Sequence, residues 1–188
     1  MRRPGFLLCW LPPPAPASPR GESRPVSSGT AQARRFSAVA RFGGCAALLI
    51  RPAGAPPRAP AHVLTAGHCI DLGANDVIVD RAGTRRTAVF RYLHDVTAAD
   101  RLTVTSRRVA CSTMKRLDLA AVEPDATLDD PAAAGIEPME LDAGAAAPGE
   151  QVEGAGIPSV GIPRDEIFLR ASPCAAQGVA DRAARAIV

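Results

Sequence analysis

The chain has 188 residues, enough for one substantial domain or two small ones, and its 47% hydrophobic content makes a buried core feasible. Aromatic residues are only 4%, so we expect a core built from Ala, Val, Leu and Ile, while 16 Gly and 18 Pro favour turns and short strands. The net charge of +3 is small and the arginines are scattered in pairs, which argues against a nucleic-acid-binding protein with its usual clustered basic face.

Residues 1–34 are interpreted as a leader followed by a Pro-rich linker. The apolar run Phe6–Leu11 and the small-x-small sequence Ala15-Pro16-Ala17 are typical of a signal peptide, but three prolines interrupt the apolar run early. A disordered Pro-rich tail and a misassigned start codon are the alternatives. Residues 12–30 are rich in Pro, Ser, Gly and Arg, and this composition predicts an unstructured linker.

From about Arg35 the sequence changes to short strand-like runs separated by turn signals. No apolar run approaches the roughly 18 residues of a membrane span, so we expect none. Strands recurring about every 10 to 15 residues without amphipathic helices between them predict an antiparallel barrel or sandwich. The runs are Phe36–Phe42, Cys45–Ile50, Ala61–Ala66, Asp76–Asp80, Arg86–Leu93, Leu102–Ala110 and Leu117–Val122.

The C-terminal third is less regular. Asp125–Gly149 is rich in Ala, Pro and Asp and is interpreted as a connection between domains. Gly149–Gly156 and Glu166–Ala171 can each form a strand. Ala175–Val188 is a low-complexity, weakly helical stretch of Ala and Arg that does not resemble the end of a barrel.

Five cysteines indicate disulfide bonding in an oxidising compartment. They are Cys9, Cys45, Cys69, Cys111 and Cys174, and none forms a C-x-x-C pair. Well-separated cysteines favour structural disulfides, and so a secreted or periplasmic protein. The odd number leaves one without an internal partner, most simply Cys9 in the leader.

The most informative segment runs from His62 to Cys69, where an apolar strand leads into Thr-Ala-Gly-His-Cys. It resembles the Leu-Thr-Ala-Ala-His-Cys sequence around the catalytic histidine of trypsin- and chymotrypsin-like serine peptidases. Gly67 stands where that pattern has its second alanine, a small-for-small change. The resemblance implies that His68 acts as general base and then general acid.

The same resemblance implies a Cys45–Cys69 disulfide. In the family, the cysteine after the histidine bonds to one on the preceding strand, and Cys45 lies 24 residues upstream of Cys69. Closing a loop of this size stabilises a protein by roughly 3 kcal/mol.

A second motif, Leu117-Asp118-Leu119-Ala120, resembles the family's Asp-Leu-Ala-Leu sequence. There a strand supplies the carboxylate that orients the histidine and stabilises the imidazolium, and this carboxylate must be shielded yet hydrogen-bonded. Asp118 between two leucines fits that need. The 50 residues from His68 to Asp118 compare with roughly 45 in the chymotrypsin template.

A metal site made of His62, His68, Cys69 and His94 is the competing interpretation of the histidines. These spacings match no familiar zinc pattern, and Cys69 is better explained by the disulfide. The resemblance implies no metal or organic cofactor. Taken singly, a histidine after an apolar strand and an aspartate between leucines are each more often structural than catalytic.

The nucleophilic serine is expected to be missing from these residues. In the template it follows the aspartate by roughly 90 residues in a Gly-x-Ser-Gly context, which from Asp118 reaches about residue 210. Neither Ser159 nor Ser172 has these surroundings. The family's Ile-Val-Gly-Gly activation sequence is also absent between residues 20 and 40, as in the bacterial secreted branches.

We therefore predict an all-β, chymotrypsin-like double β-barrel. Residues 35–130 form a complete first barrel with the histidine and aspartate, and residues 131–188 form the connection and an incomplete second barrel. The predicted function is serine endopeptidase, acting on a peptide or protein substrate, although this chain alone is expected to be inactive. No nucleic acid and no membrane span are expected. The alternatives are a non-catalytic, peptide-binding protease homologue and an inactive truncated remnant.

Overall fold

The structure, a computed structural model, describes residues 23–70, 77–82, 85–115, 117–142, 144 and 146–176. The predicted leader with Cys9 and most of the predicted helical tail lie outside these residues. The strands are β1 (Arg24–Pro25), β2 (Val39–Phe42), β3 (Cys45–Arg51), β4 (His62–Thr65), β5 (Ile78–Ala82), β6 (Thr87–Phe90), β7 (Thr103–Thr113), β8 (Leu119–Pro124), β9 (Met139–Glu140), β10 (Gln151–Gly156) and β11 (Arg170–Ala175). Helices α1 (Ala31–Arg35) and α2 (Asp129–Ala133) have five residues each. No helix in the described ranges is both long and apolar enough to cross a bilayer.

Six strands form a closed antiparallel barrel. Their order is β2-β6-β7-β8-β4-β3, and pairing between β3 and β2 closes the ring. Closure gives every barrel strand a partner on both sides and removes the exposed edges that an open sheet would leave. The predicted all-β barrel fold is confirmed.

The hairpin between β2 and β3 sets the position of Cys45. Phe42 pairs directly with Cys45, so Gly43 and Gly44 are the whole turn. Gly43 has a φ of 61°, the left-handed conformation that two-residue hairpin turns require and that glycine adopts without steric cost. This turn places Cys45 at the first position of β3.

The barrel interior is packed with small and aromatic side chains. Phe42 and Phe90 are fully buried there, so the expected Ala, Val, Leu and Ile core also contains two of the five phenylalanines. Six alanines leave room for these rings. The buried set is Ala38, Ala40, Phe42, Ala47, Leu49, Ala61, Val63, Ile70, Ala88, Phe90, Val109, Ala120, Val122, Leu128 and Ile136.

The segment predicted as a connection between domains packs against the barrel instead of only linking. Leu128 and Ile136, on either side of α2, are fully buried in the barrel core. Met139 and Glu140 form β9, which pairs in parallel with the end of β3. The prediction missed α2 and β9 because both are too short to show a hydrophobic period.

One carboxylate is buried in the barrel wall. Glu123 on β8 is 1% exposed and accepts hydrogen bonds from Arg107 and Arg108 of the neighbouring strand β7. Arg108 approaches it with Nε at 2.8 Å and a terminal nitrogen at 2.7 Å. A buried charge is costly without such partners, so this pairing is what allows an acidic residue in β8.

A second, three-stranded sheet has the order β1-β11-β10. It packs on the barrel through another buried cluster, in which Val26, Leu93 and Leu169 are central. Val26 is fully buried and its N–H donates to Leu169 O at 2.9 Å. The prediction of an unstructured linker over residues 12–30 is therefore wrong for its described part, because pairing with β11 orders a segment whose composition alone suggests disorder.

Candidate active site

Strand register brings His68 and Asp118 together. β4 and β8 are antiparallel neighbours, with Thr65 opposite Ala120. Gly67 is two residues after Thr65, and Asp118 is two residues before Ala120, so in these antiparallel strands both lie beyond the same end of the pair. The side chain that follows the end of β4 and the one that precedes β8 therefore meet at the same rim of the barrel.

A short 3-10 turn, Gly67–Cys69, presents the histidine. Cys69 N donates to Ala66 O at 3.1 Å, and Ile70 N donates to Gly67 O at 2.9 Å. Arg86 holds the end of the turn by donating to the carbonyls of Cys69 and Ile70. Sequence reasoning missed Arg86, because nothing local links it to a turn 17 residues away.

The histidine and the aspartate are joined by two hydrogen bonds. His68 Nδ1 lies 2.6 Å from Asp118 Oδ2, and the backbone N–H of His68 donates to Oδ1 at 2.9 Å. One carboxylate thus fixes both the ring and the backbone of the same residue. Such a pair orients the imidazole and assigns its proton to Nδ1, which leaves Nε2 as the basic nitrogen. The predicted contact is confirmed.

Gly67 is needed for this close approach. A Cβ atom at this position would lie 2.3 Å from Thr113 O and 3.2 Å from Asp118 Oδ1. The first distance is far shorter than a van der Waals contact, so a larger residue requires the end of β7 to move. Gly67 is a small-for-small change relative to the family's alanine, but in this chain a methyl group at this position would lie where the Thr113 carbonyl is.

The electrostatics of the pair favour an ionised aspartate. The hydrogen bonds from the His68 side chain and backbone lower the pKa of Asp118, against a smaller opposing effect of burial. The side chains of His68 and Asp118 are 44% and 46% exposed. The predicted shielding of the carboxylate is therefore not observed, because Leu117 and Leu119 are themselves exposed instead of covering it.

The disulfide lies against the histidine. Cys45 and Cys69 are bonded, with Cα atoms 6.3 Å apart, which confirms the expected pairing. Cys45 Sγ is 3.8 Å from His68 Nε2, so the bond borders the basic edge of the ring. Cys111 and Cys174 are both free and exposed, so a bond between them is not formed.

The histidines of the alternative metal site do not come together. Cys45, His68 and Cys69 have possible ligand atoms within 4.8 Å of one another, but His62 and His94 are not in this group. His62 Nδ1 faces Pro60 O and His94 Nδ1 faces Val26 O. Both sulfurs are tied up in the disulfide, which leaves one free ligand, His68, in the oxidised chain.

No serine completes the pair within the described residues. The hydrogen-bonding neighbours of His68 there are Asp118 and Cys45, with no hydroxyl group on Nε2. Ser172 lies in β11, paired with Gly154 of the second sheet. What this site offers chemically is an oriented base without an adjacent nucleophile.

No protein-family model matches the chain, and no curated protein matches it. The likeness to chymotrypsin-like peptidases therefore depends on the two quoted motifs and on the geometry of the residues within them.

Proposed function

We propose that this chain supplies the general base and its orienting carboxylate to a serine endopeptidase of the chymotrypsin-like type. The observation that carries the proposal is the doubly hydrogen-bonded His68–Asp118 pair at a barrel rim. The closed barrel, the neighbouring disulfide and the two sequence motifs support it.

In this mechanism His68 Nε2 removes the proton from a serine hydroxyl as that oxygen attacks a peptide carbonyl. The ring then becomes an imidazolium, and the ionised Asp118 stabilises its charge through Nδ1. The proton passes next to the leaving amine, and a water molecule is activated in the same way to release the acyl group. The lowered pKa of Asp118 keeps the carboxylate charged through these steps.

Two components would have to join these residues to form a complete enzyme. One is a serine within reach of His68 Nε2 together with backbone N–H donors for the oxyanion. The other is a surface that covers the half-exposed His68–Asp118 pair, because hydrogen bonds to a carboxylate are stronger away from water. We propose that the 188-residue chain alone therefore cleaves no peptide.

The first experiment reads the DNA beyond and around codon 175 in all three frames. We expect this DNA to encode a Gly-x-Ser-Gly sequence roughly 90 residues after Asp118. Protein extended to include it should hydrolyse peptide substrates, and Asp118→Asn should lower kcat about 10⁴-fold. An extended protein whose new serine does not react with a fluorophosphonate would contradict the proposal.

The second experiment uses the chain as it stands. Incubation with a fluorophosphonate should label no serine, because no nucleophile is activated. Labelling at a serine that disappears in His68→Ala would show instead that the 188 residues contain a working site.

A non-catalytic peptide-binding homologue is the second candidate. It is favoured by a shallow groove between the barrel and the second sheet, lined by Ala46, Gly154–Pro158 and Arg170. The absence of any downstream Gly-x-Ser-Gly, together with peptide binding that His68→Ala leaves unchanged, would favour this function over the enzyme.

We propose a secreted or periplasmic location. The Cys45–Cys69 disulfide supports it, because such bonds persist in oxidising compartments. Peptide mapping of the protein isolated from its source without reduction tests it, and a reduced pair would contradict it.

A further inference from the structure

We propose that, once the Cys45–Cys69 disulfide is reduced, Cys45, Cys69 and His68 form a zinc site. The possible ligand atoms of these three residues already lie within 4.8 Å of one another. Two thiolates, one imidazole and an open position are a recognised donor set for catalytic zinc. The site does not depend on the proposed peptidase function, since it uses no serine.

The distances within the cluster suit a tetrahedral metal. Zinc–sulfur bonds of about 2.3 Å and zinc–nitrogen bonds of about 2.0–2.1 Å place sulfur and nitrogen ligands about 3.6 Å apart. Cys45 Sγ and His68 Nε2 are 3.8 Å apart without any metal. The two sulfurs must separate to about 3.8 Å, and rotation about the Cα–Cβ bonds of cysteines whose Cα atoms are 6.3 Å apart allows this.

Asp118 orients His68 through the ring nitrogen that would not bind the zinc. Histidines that bind zinc usually donate their other ring N–H to a carboxylate, which fixes the tautomer and raises the basicity of the ligating nitrogen. His68 Nδ1 makes this contact with Asp118 at 2.6 Å, and Nε2 is left facing the sulfur atoms. The arrangement that orients a base therefore also orients a zinc ligand.

Formation of the site needs a dithiol reductant. Its two thiols become a disulfide and transfer two electrons and two protons to Cys45 and Cys69, and Cys45 is the sulfur more open to attack because Cys69 is buried. Binding of Zn²⁺ then releases both thiol protons to solvent. Zinc on Nε2 also occupies the nitrogen that the proposed peptidase uses as base, so the two states exclude each other.

The test titrates Co²⁺ and Zn²⁺ into the full chain carrying Cys9→Ser, Cys111→Ser and Cys174→Ser, so that the only thiols are those of the pair. After reduction and removal of the dithiol by gel filtration under argon, one equivalent of Co²⁺ should give thiolate-to-cobalt absorption and the strong visible bands of tetrahedral cobalt, and Zn²⁺ should abolish both. The oxidised chain should give neither. A reduced chain without these bands would overturn the proposal.

Matched variants test whether His68 and Asp118 contribute to zinc binding beyond the two cysteine thiolates. Asp118→Asn should weaken Zn²⁺ binding about 10- to 100-fold. His68→Gln should weaken it further, and His62→Gln, a histidine outside the cluster, should leave it unchanged. Equal affinity of the His68→Gln and His62→Gln variants would contradict the proposal.

Circular dichroism keeps the test decisive if reduction unfolds the chain. Zn²⁺ should then restore the β-sheet signal of the reduced protein when His68 is intact and fail to do so in His68→Gln. Restoration to the same extent in both proteins would overturn the proposal.

Discussion

The barrel and the three-stranded sheet hold their strands together by different means. Every barrel strand is bonded on both sides, around a core to which the described residues contribute fifteen buried side chains. In the described part of the second sheet, β11 lies between β1, which has two residues, and β10, which carries Gly154 and Gly156. A short sheet with few large side chains buries too little of its own surface to be stable alone.

The second sheet depends on the barrel for its stability. Its apolar face packs on Val39 and Leu93, and polar contacts join β10 to α1, the helix that precedes barrel strand β2. Glu153 of β10 accepts hydrogen bonds from Gln32 and Arg35 of α1. The His68–Asp118 pair belongs wholly to the barrel, so its geometry should survive loosening of the sheet but not damage to the barrel.

The largest expected effect is that of Phe90→Ala, which should lower the free energy of unfolding by about 3–5 kcal/mol because the ring is completely buried in the barrel. Urea denaturation measures it. Leu141→Ala, at a side chain 59% exposed, is the control and should change stability by less than about 0.5 kcal/mol. Slower amide hydrogen exchange in β10 and β11 than in the barrel would contradict the view that the barrel is the more stable region.

Gly67→Ala tests the barrel rim. The clash with Thr113 O should cost about 1–3 kcal/mol and displace His68 from Asp118. Urea denaturation gives the cost, and the NMR resonance of the His68 Nδ1 proton reports the displacement. Gly44→Ala is the matched control, because Gly44 lacks a positive φ and a Cβ there meets nothing within 4 Å. Equal effects of the two substitutions would show that Gly67 is not sterically required.

Glu153→Gln tests the link between α1 and the second sheet. It removes the ion pair with Arg35, in which the two charged groups are 3.1 Å apart, and should cost under about 1 kcal/mol because Arg35 is largely exposed. Hydrogen exchange should quicken in β10 and stay unchanged in the barrel. Glu140→Gln, at an exposed residue of β9 that pairs with the barrel strand β3, serves as the control. Faster exchange throughout the barrel would contradict the division into two regions.

The smallest expected effect concerns acid. The pKa of Asp118 is lowered by hydrogen bonds from His68, and that of Asp95 is lowered mainly by the backbone N–H of Ser28. A carboxyl group whose pKa is depressed on folding stabilises the protein above its unfolded pKa, near 3.9, and loses this contribution as the pH falls through the folded value. Stability should therefore decline below about pH 4, and less steeply in Asp118→Asn and Asp95→Asn.

Chemical denaturation across pH 2–6 measures the slope of the unfolding free energy against pH. Asp118→Asn should alter it without changing exchange in the second sheet, whereas Asp95→Asn should loosen the segment around Ser28 that borders that sheet. Identical slopes in the parent and both variants would contradict the assignment.

The sequence predicted most barrel strands because their signal is local. Cys45–Ile50 and Ala61–Ala66 correspond closely to β3 and β4, where apolar runs end at turn residues. The strands β1 and β9 were not predicted, because each has two residues and exists through a partner distant in the chain. The predicted domain boundaries at residues 35 and 131 stay predictions.

The sequence predicted which residues form the candidate site, but not what surrounds them. His68, Asp118, Cys45 and Cys69 are named by two short motifs, and a strand register then brings them together. The exposure of His68 and Asp118 depends on which distant segments pack over the barrel rim, and a local motif does not indicate this. Support of the turn by Arg86 depends likewise on a contact between the residue before β6 and the turn after β4, which no motif encodes.

Strand β5 occupies an unusual position beside the ring. β6 pairs with Thr103–Thr105 at the start of β7, and β5 pairs with residues 108–112 further along the same edge. β5 is thus an extension of one wall and takes no part in closure. Grafted peptides or reporter groups introduced at its exposed residues, such as Val79, should leave the ring of six strands intact, which makes β5 a practical attachment point on this scaffold.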